Sequence, residues 1–371
     1  KETGIETEIW AARSIAKVFD KLNLSYSRTE KSQAPSFTKN FLQEHKNPFV
    51  QKIAKAREIN KAHTTFIDTI LKHEHRGRIH ADINPIRSDQ GGTVTGRFSY
   101  SNPNLQQIPA RNKELGPMIR GLFLPEEKHT WGCFDYSQQE PRLVVHYAAT
   151  TDPIMFDDSV SDIVKKFESN SVDFHQTVAD MAGISRSQAK TINLGLFYGM
   201  GKAKLQAELG LSTKQEAENL FNQYHDNVPF VRDLMNQTSK QAQMSGSIGT
   251  LLGRRCRFNK WEPNTFGMHT PMSFEEAERT YGRGGIRRAF TYKALNKLIQ
   301  GSAADMTKKA MLDLYQEGIV PHIQIHDELD ISVESDKQKN KIIEIMENAV
   351  KLAVPNKVDY ESGKTWGDIF G

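Results

Sequence analysis

The sequence predicts an α+β protein of more than one lobe, and three observations carry that prediction. Ile319, Ile323, Ile325, Leu329, Ile331 and Val333 alternate with polar residues, the pattern of strands. Elsewhere the apolar residues mostly recur at three- and four-residue spacing, the pattern of helices. The 371 residues, 37% hydrophobic and 25% charged, suit two or three lobes around a sizeable core.

In chain order, residues 5–22 place Ile5, Ile9, Trp10, Ile15, Ala16, Phe19 and Leu22 at helical spacing. A polar link over 25–36 follows, and Phe49 to Leu71 repeats the helical pattern with basic residues on its other side. From Arg76 the texture changes to short strand-like pieces, with Gly91-Gly92 marking a hairpin or loop. Trp131 to Phe134 reads as a short strand that delivers Asp135 to its end, where a helix begins. Residues 152–210 read as mainly helical; Ser185 and Gln188 form a capping box that starts a helix at Arg186, and Gly199 ends it. Residues 212–245 continue as helices, and Ser247 to Lys260 as a strand pair carrying Arg254, Arg255 and Arg257. Trp261 to Thr280 shows no periodicity and reads as an excursion; Ile286 to Gly318 reads as helix, and Lys337 to Leu352 as another. Between them, His326, Asp327 and Glu328 sit where a hairpin tip belongs.

A carboxylate leaving an apolar strand, such as Asp135, either caps the next helix or is compensated by a bound cation. Charge placement points to a polyanionic partner. Residues 28–87 hold twelve basic against six acidic side chains, and 240–300 eleven against four, around a more acidic middle. On the helix starting at Arg186, Lys190, Leu194 and Tyr198 follow at four-residue intervals, one row roughly 18 Å long. A solvated basic face accounts for the two cations but does not ask for Leu194, Phe197 and Tyr198 beside them. The two cysteines, Cys133 and Cys256, support neither a disulfide framework nor a zinc site, so a reducing, cytoplasmic compartment is expected. No run is long enough to span a membrane, the start does not read as a signal peptide, and the missing initiating Met suggests a piece of a longer chain.

If Asp135 and Asp327 converge, their mutual repulsion calls for divalent cations between them, the arrangement that phosphoryl transfer uses. The Arg186–Tyr198 row would then grip a polyphosphate and the basic zones a nucleic acid. Three stretches carry a resemblance at this point: Asp135-Tyr-Ser-Gln-Gln-Glu-Pro-Arg142, the Arg186-x3-Lys190-x3-Leu194-x3-Tyr198-Gly199 helix, and His326-Asp327-Glu328. They resemble, in order, the three polymerase motifs of family A DNA polymerases, the bacterial polymerase I and phage replicase group. Thr95-Gly-Arg-Phe-Ser99, Pro103 to Pro109, Asp173-Phe-His175, Thr250 to Arg255 and Ala294 to Asp305 add to the match, which runs from about residue 75 to the C-terminus.

The resemblance implies a right-hand fold with an antiparallel-sheet palm, helical fingers and a helical thumb. The thumb would be 1–88, the palm 89–165 and 291–371, and the fingers 166–290, with the motif B helix at 186–198. It implies template-directed addition of deoxynucleotides to a primer 3′ end in DNA replication, with two Mg2+ ions, or Mn2+ as a substitute, as cofactors. Asp135 and Asp327 would hold the metals with the Tyr136 carbonyl, and Glu328 would complete the catalytic acids. His175, Arg186 and Lys190 would contact the incoming triphosphate, with Lys190 protonating the pyrophosphate. Gln138, Leu194 and Tyr198 would line the nucleotide site, Tyr198 near the template base, and Glu140 would exclude a ribose 2′-hydroxyl. Arg97, Asn296, Gln300 and His326 would meet the primer–template end, and Arg254 and Arg255 its phosphates. Implied partners are primer–template DNA, deoxynucleoside triphosphates and accessory replication proteins; no membrane is implied, and the chain would act as a monomer in the cytoplasm, a host's if phage-encoded.

Three positions depart from the family pattern. Leu194 stands where Phe or Tyr is usual, which implies strong discrimination against dideoxynucleotides and leans toward a phage-type replicase. Pro141 replaces an apolar residue, and its place in the first helical turn tolerates a missing N–H. Lys293 stands where an arginine is common. A single-subunit RNA polymerase, a metal-dependent nuclease and a non-catalytic DNA-binding relative stay open as alternatives.

Overall fold

Alternation along three stretches of chain builds one four-stranded antiparallel sheet. The structure, a computed structural model, describes residues 3–29, 32–86, 88, 91–109, 112–150, 158–169, 173–197, 202–265, 267 and 269–369, with backbone alone at 158–159, 194, 196–197 and 202–204. The strands are β1 (Thr130–Tyr136), β2 (Ile323–Ile325), β3 (Glu328–Val333) and β4 (Val358–Gly363), in the order β2-β3-β1-β4. In register, Asp135 lies between Glu328 and Asp359, and Cys133 between Asp330 and Glu361.

Because successive side chains point to opposite faces, the register sorts the sheet by chemistry. One face collects Phe134, Tyr136, Leu329, Ile331, Val333 and Val358, all buried in one large apolar core. The other collects Asp135, Glu328, Asp330, Asp359 and Glu361 together with Trp131 and Cys133. Gly132 is the gap in the apolar face: a Cβ there would lie 2.6 Å from Val333 Cγ2 and 2.9 Å from Tyr360 Cε2. The Tyr360 ring fills that space and packs on Phe134 at 4.8 Å.

The chain divides into two compact units, Lys1–Asp82 with Ser101–Phe123, and Ile83–Tyr100 with Leu124–Ile369. The first is built from α1 (Ala12–Lys21) and α2 (Pro48–Lys61), the latter running through a π-helical turn, Ala62–Ile67, into Asp68–Lys72. Pro48 at the first helical position and the Asn47 side chain, which accepts the Phe49 N–H at 2.9 Å, start α2. Ile15, Phe19, Phe37, Leu42, Val50 and Ile53 form this unit's core.

The second unit also holds α3 (Gln139–Thr150), α4 (Phe174–Ala182), α5 (Arg186–Phe197), α6 (Lys214–Asn227), α7 (Pro229–Ser245), α8 (Ala294–Gln316) and α9 (Asp336–Asn348). Leu143, Phe174, Ile192, Tyr224, Leu234, Ile299 and Met346 bring these helices into the shared core. Pro141 is buried in the first turn of α3, where the missing N–H removes no helical bond. The α5 cap forms as its sequence predicts: Ser185 Oγ accepts the Gln188 N–H at 3.2 Å, and Gln188 Oε1 the Ser185 N–H at 2.9 Å. Among the described residues, no helix is long and apolar enough to cross a membrane.

Four expectations about elements change. Helix α1 starts at Ala12, not near Ile5, because the Ser14 hydroxyl accepts the Glu8 N–H at 2.9 Å and holds that stretch as a turn. The supposed excursion contains a strand, Trp261–Pro263, and a helix, Phe274–Tyr281, capped by Ser273. The helix expected from Ile286 begins at Ala294, since Ile286–Arg288 pairs with Trp261–Pro263. Strand β4, unanticipated, supplies one of the two neighbours of β1.

Candidate active site

Asp135 is the next-to-last residue of β1, and Asp327 lies in the two-residue turn between β2 and β3. The Tyr136 N–H donates to the Asp327 carbonyl at 3.3 Å, docking the hairpin tip against the end of β1. Burial pushes the Asp135 carboxyl well above the usual carboxylate range, and the charges of Asp327, Asp359, Asp330 and Glu361 push the same way. Asp327 is raised as well, chiefly by burial, against a counter-pull from Arg97. The Asp327 turn thus meets the end of the strand that carries Asp135, across 192 residues of sequence.

The tip is held in a costly conformation. His326 has φ 58°, in the left-handed region that non-glycine residues rarely occupy. Its carbonyl accepts the Gln324 Nε2–H at 2.6 Å and the Thr307 Oγ–H at 3.4 Å. Tyr100 supports the base of the hairpin, its hydroxyl accepting the Gln324 N–H at 3.1 Å. His326 as a whole residue is exposed.

Glu140, in the first turn of α3, pairs with Arg97: Arg97 Nη2 to Glu140 Oε1 is 2.6 Å, with the Glu140 and Arg97 side chains only 11% and 17% exposed. Burial raises the Glu140 carboxyl and Arg97 partly restrains it. Gln138, at φ 54°, turns the chain after β1, and its Oε1 accepts the Phe174 N–H at 2.8 Å. That bond ties the start of α4, and with it His175, to the turn three residues beyond Asp135.

The phosphate-gripping candidates gather around α4 and α5. Arg186 Nε–H donates to Asp173 Oδ2 at 2.7 Å, and Nη2 lies 2.7 Å from the same oxygen as an ion pair. Lys190 is exposed one turn on, and His175 is half-buried. Leu194 belongs to α5, but its side chain, like all of Tyr198, lies outside the described residues.

Asn296 and Gln300 lie one turn apart on α8, Gln300 buried and Asn296 half-buried. Arg255 is exposed on the hairpin Ser247–Gly249/Arg255–Arg257. Arg254 instead faces inward: Nε donates to Asp305 Oδ1 at 3.1 Å and Nη2 to the Gly301 carbonyl at 2.7 Å. Its guanidinium occupies the space beside Gly96, where a Cβ would come within 2.3 Å of Nη1. The glycine beside Arg97 is thus required by a close approach.

Sequence reasoning passed over Asp330, Asp359 and Glu361, which share the sheet face with Asp135. The signal was present in Val358-Asp-Tyr-Glu361, where apolar and acidic residues alternate. Cys133, Glu328 and Asp330 also bring ligand-type atoms within 4.8 Å of one another. There the Cys133 thiol donates to Asp330 Oδ1 at 2.7 Å, and burial and nearby acids hold it protonated, so it contributes no thiolate.

Known proteins match this arrangement. The sequence matches the family described as "DNA polymerase family A" over residues 3–368. It is 33% identical to a DNA-directed DNA polymerase of Pseudomonas phage M6, over 98% of this chain and 58% of the relative. It is 34% identical to DNA polymerase I of Geobacillus stearothermophilus, over 98% of this chain and 40% of the relative. The fold is similar to the POL domain of Pol1 from M. smegmatis, in complex with DNA primer-template and dNTP: TM-score 0.75, 28% identity, covering 98% of this chain and 62% of the other. The chain thus spans 40% to 62% of the length of these relatives. With the family match running nearly end to end and an acidic strand end, a hairpin acid and a cationic helix assembled in one unit, the chain belongs to DNA polymerase family A.

Proposed function

We propose that the chain is the polymerizing portion of a DNA-directed DNA polymerase, adding deoxynucleotides to a primer 3′ end as a template directs. The observation that carries this reading is the docking of the Asp327 turn onto the end of β1, which sets two carboxylates at the edge of an acidic sheet face. Residues 1–88 serve as thumb, 89–165 with 291–371 as palm, and 166–290 as fingers.

The donor set fits hard divalent cations: carboxylate and carbonyl oxygens, with two partly buried acids whose repulsion needs positive charge. Asp135, Asp327 and the Tyr136 carbonyl would hold two Mg2+ ions, with Glu328 adding negative charge beside them. When bound, the ions supply the charge that makes a primer hydroxyl a nucleophile and steadies the departing pyrophosphate.

The chain's own residues do the rest. Arg186, Lys190 and His175 grip the triphosphate, Arg186 exchanging its Asp173 partner for phosphate oxygens. Lys190 gives a proton to the leaving pyrophosphate oxygen. Glu140, fixed by Arg97, fills the space that a ribose 2′-hydroxyl would need. Asn296, Gln300, Arg97 and His326 meet the primer–template end.

Extension of a primer on a defined template, with each nucleotide supplied alone, tests the reading. Only the complementary deoxynucleotide should be added, and ribonucleotides should be added poorly. Comparable ribonucleotide incorporation would instead mark an RNA polymerase, and loss of primer residues without addition a nuclease.

A further inference from the structure

The ring of His175 is held by a buried chain of hydrogen bonds that crosses three helices. On α6, the Tyr224 hydroxyl lies 2.5 Å from Asn193 Oδ1 on α5. Asn193 Nδ2 lies 3.0 Å from His175 Nδ1 on α4. Tyr224 and Asn193 are both fully buried.

The direction of the protons follows from what each group can do. A buried phenol must place its proton on an acceptor, and burial keeps Tyr224 protonated. Asn193 Oδ1 is the acceptor within reach; turning the amide over would set the phenol proton against an NH2 group. With Oδ1 facing Tyr224, Nδ2–H faces His175, and Nδ1 must carry a lone pair. Burial lowers the imidazole's proton affinity, and Lys190 and Arg186 lower it further against the pull of Asp173. The ring is therefore neutral at pH 7, which is the condition under which the choice of tautomer matters.

We propose that Asn193 and Tyr224 are positioning residues that fix His175 as the Nε2–H tautomer, leaving Nε2–H as a donor for a phosphate oxygen of the bound nucleotide. The inference rests on the reading that His175 meets the triphosphate. The opposite tautomer would turn a lone pair toward phosphate beside Lys190 and Arg186, and would repel it.

Nitrogen-15 NMR of the whole chain, labelled at histidine and recorded at pH 8, reads the tautomer directly. His175 should show protonated Nε2 and unprotonated Nδ1; a protonated Nδ1 overturns the proposal without any variant. Tyr224→Phe removes one oxygen and frees the Asn193 amide, so it should mix the tautomers and raise the KM for deoxynucleotide on the order of fivefold. The change should fall on KM more than on kcat and leave primer–template Kd alone. If His175→Ala weakens nucleotide binding while Tyr224→Phe changes neither tautomer nor KM, the positioning role is wrong. If Tyr224→Phe shifts the tautomer while nucleotide binding ignores it and His175→Ala alike, the positioning stands and the triphosphate reading fails.

Discussion

Lys190 and Leu194 are neighbours on one row of α5, and each is open to a separate test. Lys190 is exposed and is assigned both a grip on the triphosphate and protonation of the leaving group, so Lys190→Ala should slow single-turnover incorporation on the order of a hundredfold. Primer–template Kd, measured on the same variant, should change much less; the opposite pattern would assign Lys190 to DNA. Leu194 has no hydroxyl to stand in for a missing 3′-hydroxyl. Strong preference for deoxy- over dideoxynucleotides is therefore expected in competition assays, and equal incorporation would remove Leu194 from the nucleotide site. Much at this scale was legible. Asp135 at a strand end, Asp327 at a hairpin tip and the Ser185–Gln188 cap all follow from local pattern. The alternation around Asp359 was there to be read, but its place beside Asp135 and the Asn193–Tyr224 chain were not legible, because both arise from register and packing between distant segments.

Among the elements, β1 depends on a glycine for close packing. Gly132→Ala would push a methyl into Val333 and Tyr360, at a cost of about 1–3 kcal/mol in urea unfolding, with the acidic face left in place. The hairpin carrying Arg254 and Arg255 divides its two cations. Arg255 is exposed, so Arg255→Ala should lower the slope of log Kd for DNA against log salt by about 1. Arg254→Ala should leave that slope nearly unchanged, since its guanidinium is engaged by Asp305 and Gly301. Equal slope changes would show that both reach phosphates. Elements with strong period or caps were readable in advance, as α5 and the β2–β3 hairpin show. Strand β4 escaped because its apolar residues are only Val358 and Tyr360, and an edge strand of that kind is defined by its partner. The helix Phe274–Tyr281 escaped because its eight residues are mostly polar.

For the molecule as a whole, an acidic sheet face is an unlikely bed for a polyanion unless cations come between them. Five carboxylates share that face, while the basic residues concentrate in 28–87 and 240–300 of a chain whose formal charge is only +4. The fold keeps the acids on one face of the sheet, with Asp135 near the end of its strand beside the Asp327 turn, and the cations on separate elements. This claim makes Asp135 and Asp327 indispensable to chemistry but not to folding or to DNA binding. The most direct measurement is single-turnover primer extension by the parent, Asp135→Ala and Asp327→Ala at saturating primer–template, with unfolding midpoints recorded alongside. Each variant should bind primer–template and fold like the parent yet lose at least about a thousandfold in incorporation rate. Extension by either variant at the parent's rate would contradict the two-carboxylate site.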